Sequence, residues 1–181
     1  NWQKEDPNKR SVTIIRPTVI FGKKNRGNIY NLFNQINSGK FIMIGDGNNK
    51  KSIAYVKNIV AFIKNRIKNS TNGYNIYNYT DGPDFHVKEL VEITNKTLKI
   101  TPYINSNIPY WLGMVGGISF DVLAKLTKKR MPISSIRVQK FCAKTQFDSS
   151  EVKKIFSAPY NLKEAVINTL ISEFISPNSD N

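Results

Sequence analysis

The chain has 181 residues, 40% of them hydrophobic, which suits one substantial domain with its own core and argues against disorder. A single cysteine, Cys142, excludes an internal disulfide and a multi-cysteine zinc site and fits a reducing compartment, while a single histidine, His86, argues against a His-rich metal centre and a Ser/His/Asp triad. The formal charge of +14 invites a polyanionic partner, yet the basic residues are scattered from Lys4 to Lys163, and no basic run is interleaved with aromatics as a nucleic-acid groove requires.

In chain order, residues 11–15 (SVTII) form a short apolar run closed by Arg16-Pro17, the profile of a buried strand, and 16–27 reads as a loop. A helix follows over 28–39, with Ile29, Leu32, Phe33 and Ile36 on one face, Asn28 as N-cap and Gly39 as terminator. Residues 41–44 (FIMI) read as a second strand, leading into a Gly/Asn-rich hairpin turn. The helix expected from Val56 would face its core through Ile59, Val60, Ile63 and Ile67. A strand over 73–82 and a helix over 87–98 come next, then an apolar helix near 109–127, a short helix over 133–142 and a C-terminal helix from about 161 to 175. Helices alternating with strands predict an α/β domain with parallel neighbours.

The stretch 45–56 (GDGNNKKSIAYV) superficially resembles a phosphate-binding loop. Such a loop needs glycine immediately before its lysine and must open a helix; here Lys50 takes the glycine's place and Ser52 runs into the β-prone 53–56. GMVGG at 113–117 is no dinucleotide fingerprint either, because no strand precedes it.

The order of IIRPTVIFG, NRGNIYNLFNQINSGKF, MIGDGNNKKSIAYVKNIVAFI and QFDSS…APYNLKEAVINTLISEF resembles the C-terminal half of an extended short-chain dehydrogenase/reductase, of the NAD-dependent epimerase/dehydratase family acting on nucleotide-diphosphate sugars. The resemblance covers nearly the whole chain, most weakly at 98–135, and is closest to sugar-nucleotide epimerases and reductases of surface-polysaccharide pathways. It implies the C-terminal part of a Rossmann-type fold with its small substrate-binding α/β subdomain over 1–175; the polar composition of 176–181 (SPNSDN) marks a disordered tail. NAD or NADP would be the cofactor, a UDP-sugar the substrate, and the cytoplasm the location. The family context also allows a homodimer of the intact protein.

By the same resemblance Pro17 would border the nicotinamide, although a rigid loop exit explains it equally, and Val19 would border the sugar. Asn28 would touch the diphosphate at a helix start, where unpaired N–H groups favour anions, or serve only as a cap. Ile42 and Ile44, two apart on one strand face, would hold the base. Lys51 stands where many members carry a diphosphate-binding arginine; Lys50 could take that part, or both could be solvated turn residues. Arg137 lies near a second basic position over the ribose and diphosphate, without the usual surrounding motif. No tyrosine is followed four residues later by lysine, so the family's acid/base pair is missing. No catalytic residue and no metal ligand are therefore expected within this chain, which reads as the substrate half of an enzyme whose chemical half lies upstream.

Residues 109–130 join an apolar stretch containing Trp111 to a basic end. They are too short to span a bilayer and Asp121 interrupts them, which leaves packing on the missing half, a second subunit or the domain's own core, or peripheral contact with an anionic membrane. The competing functional class is a non-catalytic basic module that binds anionic surfaces.

Overall fold

The computed structural model describes residues 2–101, 107–129, 131 and 133–176. The expected 177–181 portion of the tail lies outside them. Strand β1 (Ser11–Pro17) pairs in parallel with β5 (Gly73–Tyr79) over seven residues, from Ser11 opposite Gly73 to Pro17 opposite Tyr79. Two short parallel strands, β2 (Val19–Phe21) and β4 (Ile53–Tyr55), form a second pair, and β3 (Lys50–Lys51) runs antiparallel to β6 (Phe85–His86).

Around the strands lie α1 (Trp2–Glu5), α2 (Asn28–Asn37), α3 (Val56–Lys68), α4 (Val87–Leu98), α5 (Tyr110–Thr127), α6 (Ser135–Cys142), α7 (Ser150–Ile155) and α8 (Leu162–Leu170). A π-helical turn at Ile171–Ile175 extends α8. Phe21, Ile29, Phe33, Ile53, Leu90, Leu162, Val166 and Leu170 make one core cluster, which joins β2 and β4 to α2, α4 and α8. Ala54, Ile59, Phe62, Tyr79 and Val152 make the other, with three aromatic rings around Phe62.

Four expectations are corrected. The supposed loop at 16–27 contains β2, whose three residues are too few to show alternation. Residues 41–44 are irregular: among the described residues their one ladder contact is a bridge from Ile44 to Ile108, with Met43 accepting from the Ile108 N–H and the Gly45 N–H donating to the Ile108 carbonyl. The glycine-rich turn closes no hairpin, since β3 takes its antiparallel partner from β6. Helix α3 buries Asn58, Ile59 and Phe62 and leaves Val60, Ile63 and Ile67 exposed, because the Asn58 carboxamide bonds the Tyr160 backbone, which a hydropathy pattern does not register.

The glycines of GMVGG belong to a helix contact. A Cβ on Gly113 would meet Ile44 Cγ2 at 2.6 Å, and one on Gly117 would lie 2.8 Å from the Ser135 backbone, so α5 and α6 touch where side chains are absent. Gly117→Ala is therefore expected to lower stability by about 1–3 kcal/mol through overpacking, even though alanine favours a helix interior by about 1 kcal/mol. A thermal melt of the full-length protein checks the sign, and a rise in Tm would refute the close approach.

Candidate functional site

In open α/β sheets ligands gather beyond the carboxyl ends of parallel strands. Here β1 ends at Pro17, opposite Tyr79, and the Thr18 N–H donates to the Tyr79 carbonyl at 3.0 Å. The Thr18 hydroxyl is buried and, among the described residues, has no hydrogen-bond partner. A buried hydroxyl without a partner is costly, so this position is suited to a polar group supplied from outside the chain. Val19 follows, partly exposed and paired with Ile53.

Behind the strand ends lies a buried polar lock. The Asp81 carboxylate accepts from the Tyr55 N–H at 2.7 Å and the Tyr79 hydroxyl at 2.9 Å, while the Asp81 N–H donates to the Ile53 carbonyl. Burial pushes the Asp81 carboxyl above its ordinary range despite hydrogen bonds from Tyr55, Asn58 and Tyr79 that favour the charged form. With its donors inside the fold, Asp81 ties β5 to β4.

The loop after β2 turns back so that a Cβ on Gly27 would lie 3.8 Å from the Ile20 carbonyl. Gly27, not Asn28, is the N-cap of α2, because the Asn25 carboxamide takes the Gly27 N–H at 2.8 Å and no side chain caps the helix. Asn28 is thus the first helical residue, at a helix start that retains unpaired first-turn donors and the positive end of the dipole. The loop is pinned from the C-terminus: Glu173 accepts from the Lys24 N–H and from Arg26, whose guanidinium also lies 4.1 Å over the Tyr30 ring.

Burial disfavours charge on Glu173, but the bonds from Lys24 and Arg26 and the Arg26 charge outweigh it and hold the carboxyl below the usual range. A depressed folded-state pKa contributes stability above the unfolded value, and that stability is lost as pH falls through the folded value. The Tm should therefore drop on acidification below about pH 4, the ordinary glutamate range. Glu173→Gln should lower the Tm at neutral pH and flatten that drop; an unchanged pH profile would show that the clamp does not form.

Lys51 sits two residues before Ile53, the partner of Val19 in β2, and Gly27, which precedes Asn28, approaches the Ile20 carbonyl of the same strand. The Lys51 ammonium donates to the carbonyls of Lys140 at 3.0 Å and Ala143 at 2.6 Å, at the C-terminal end of α6. Among the described residues these two carbonyls engage two of its three protons. Partial burial pulls the Lys51 ammonium below its ordinary pKa. Arg137 occupies the first turn of α6, one turn before Lys140. Ile44 lies under Gly113 of α5 and accepts from the Cys142 thiol, whereas Ile42 is exposed; on an irregular segment the two do not share one strand face.

Sequence reasoning missed the Thr18 hydroxyl, the Asn25 turn and the Glu173 clamp. Only Asn25-Arg26-Gly27, an Asx-turn pattern, could have signalled one of them. His86 caps α4, its N–H donating to Glu89 and its Nδ1 lying 2.7 Å from the Asn48 carbonyl, so it holds the 45–49 turn in place. Among the described residues no cluster could hold a metal ion.

This architecture defines a class: the chain has the fold of the C-terminal part of a Rossmann-type epimerase, and the resemblance to extended short-chain dehydrogenase/reductases is borne out. In sequence it is 51% identical, over 99% of its length, to the N-acetyl-alpha-D-glucosaminyl-diphospho-ditrans,octacis-undecaprenol 4-epimerase of Escherichia coli O157:H7. It spans about half of that relative, 54%. Among solved structures it is similar to the UDP-N-acetylglucosamine 4-epimerase of Bacillus cereus, with a TM-score of 0.58 and 15% identity over 89% of this chain and 46% of that one. It is also similar to the UDP-glucuronic acid 4-epimerase of Bacillus cereus, solved with UDP-glucuronic acid and NAD, with a TM-score of 0.57 and 11% identity over 90% and 46% of the two chains. No family model matches the chain.

Proposed function

We propose that this chain is the substrate-binding portion of an NAD(P)-dependent sugar-diphosphate 4-epimerase in surface-polysaccharide biosynthesis, and that its substrate is an N-acetylhexosamine joined through a diphosphate to a polyprenol. The observation that carries this reading is the 51% identity, spread over 99% of the chain, to an epimerase named for such a substrate. A UDP-sugar shares the diphosphate and the hexose, so the carrier is the point at which the two substrates part.

The diphosphate would meet the start of α2 at Asn28 and the Lys51 ammonium, with Arg137 on the adjoining helix. Val19 would border the hexose. The nicotinamide, when bound, supplies the chemistry of taking a hydride from C4 and returning it. Pro17 and the unpartnered Thr18 hydroxyl would border that ring, and their place at the end of β1 suits it. Inversion requires the hydride to come back on the opposite face of C4, so the sugar must turn while its diphosphate stays gripped. A grip confined to the diphosphate and a loosely bordered hexose serve that need. The proton of the C4 hydroxyl would be handled outside these residues, since no Tyr-x-x-x-Lys pair occurs here.

The test is to supply the full-length protein with NAD and either an N-acetylglucosaminyl diphosphate on a short, water-soluble prenyl tail or UDP-N-acetylglucosamine, and to identify the hexosamine released by hydrolysis. Conversion to the C4 epimer on the prenyl carrier is expected. Epimerisation confined to the nucleotide carrier would overturn the choice of carrier, and none on either would overturn the function.

A further inference from the structure

We infer that α5 is a membrane-surface helix that lies in the headgroup region of an anionic bilayer and holds the sugar-diphosphate site against it. The two faces of α5 differ in kind. The inner face carries Gly113 against Ile44, Gly117 against Ser135, and Asp121, whose carboxylate accepts from the Ser135 N–H at 3.1 Å and its hydroxyl at 2.5 Å. Asp121, which seemed from the sequence to interrupt the apolar stretch, is thus turned away from the outer face.

That outer face carries Trp111, Val115, Ile118, Val122 and Leu126, all exposed, at helical spacing. From Trp111 to Leu126 the stripe runs about 22 Å at 1.5 Å per residue. The nearby hydroxyls are satisfied inside the helix, Ser119 by the Val115 carbonyl and Thr127 by the Leu123 carbonyl, so they place no unmet polar group on the surface. No described helix is long and apolar enough to cross a membrane.

Charge selects the occupant. Lys125, Lys128 and Lys129 stand exposed where the stripe ends, in a chain of net charge +14. Lysines are depleted in protein–protein cores and favoured beside anionic headgroups, and tryptophan favours the same interface. Position agrees as well, since α5 begins two residues after Ile108, which pairs with Ile44 beside the proposed site. A bilayer is the natural place to meet a diphosphate carried on a polyprenol, and to that extent the inference rests on the proposed function.

The experiment is flotation of the full-length protein with vesicles that contain no polyprenol, made of phosphatidylcholine alone or mixed with phosphatidylglycerol. Binding is expected only with phosphatidylglycerol, weakening as salt rises. Replacing Lys125, Lys128 and Lys129 together by glutamine should lower partitioning on the order of a hundredfold, from about fivefold per lysine. Trp111→Ser with Leu126→Ser should abolish flotation and leave the Tm unchanged. The inference falls if anionic vesicles are not bound, or if the serine pair lowers the Tm or dissolves a dimer with flotation intact. Turnover of the soluble short-chain substrate is scored separately, so loss of vesicle binding with turnover retained would remove this inference and leave the enzymatic reading standing.

Discussion

Lys51→Met in the full-length protein is expected to lower kcat/KM for the short-chain sugar diphosphate roughly tenfold to a hundredfold, as loss of a charge-assisted contact does, and to act through KM. Methionine keeps most of the length of the side chain and removes its charge. Part of the cost falls on structure, because the ammonium also binds the carbonyls of Lys140 and Ala143. A purely structural role would lower the Tm and leave KM alone. The pH dependence separates the two roles further: burial pulls the Lys51 ammonium below its ordinary range, so affinity for the diphosphate should decline on the alkaline side before an ordinary lysine would lose its proton. Lys51→Arg, which keeps its charge throughout, should carry that affinity to higher pH.

Asn58→Ala is expected to cost about 1–3 kcal/mol, since a fully buried carboxamide loses both of its bonds to the Tyr160 backbone at once. The Asn58 side chain is fully buried; it donates to the Tyr160 carbonyl at 3.0 Å and accepts from the Tyr160 N–H at 3.0 Å. It also supports Asp81, whose carboxyl burial already pushes upward. Loss of Asn58 would free the 156–161 segment from α3 and unsettle the lock between β4 and β5 together. Denaturant unfolding checks this, and a change under 1 kcal/mol would mean that water replaces the carboxamide without penalty.

The elements that periodicity can specify were legible in the sequence. Helices α2, α4 and α5 fall within one or two residues of their expected limits, and β1 and β5 take the parallel pairing anticipated from the alternation of helices and strands. The failures share one cause, that partners distant in the chain decide the outcome. Residues 41–44 have strand composition but, among the described residues, only Ile108 to pair with. Asn58 reads as a solvated residue on a helix and is buried because Tyr160, 102 residues away, presents a backbone to it. Asn28 reads as a cap until Asn25 takes the Gly27 N–H.

Of the proposed site, Lys51 was singled out through resemblance alone, and its anchorage on the end of α6 was not legible, since nothing local links residue 51 to residues 140 and 143. The Thr18 hydroxyl has no sequence signal at all, because a missing partner leaves no pattern.

The most direct measurement is a crystal structure of the full-length protein with NAD and the short-chain N-acetylglucosaminyl diphosphate bound. The account predicts phosphate oxygens within hydrogen-bonding distance of both the Lys51 ammonium and the first turn of α2 at Asn28. Phosphates bound elsewhere, with Lys51 still engaged only by the carbonyls of α6, would contradict it.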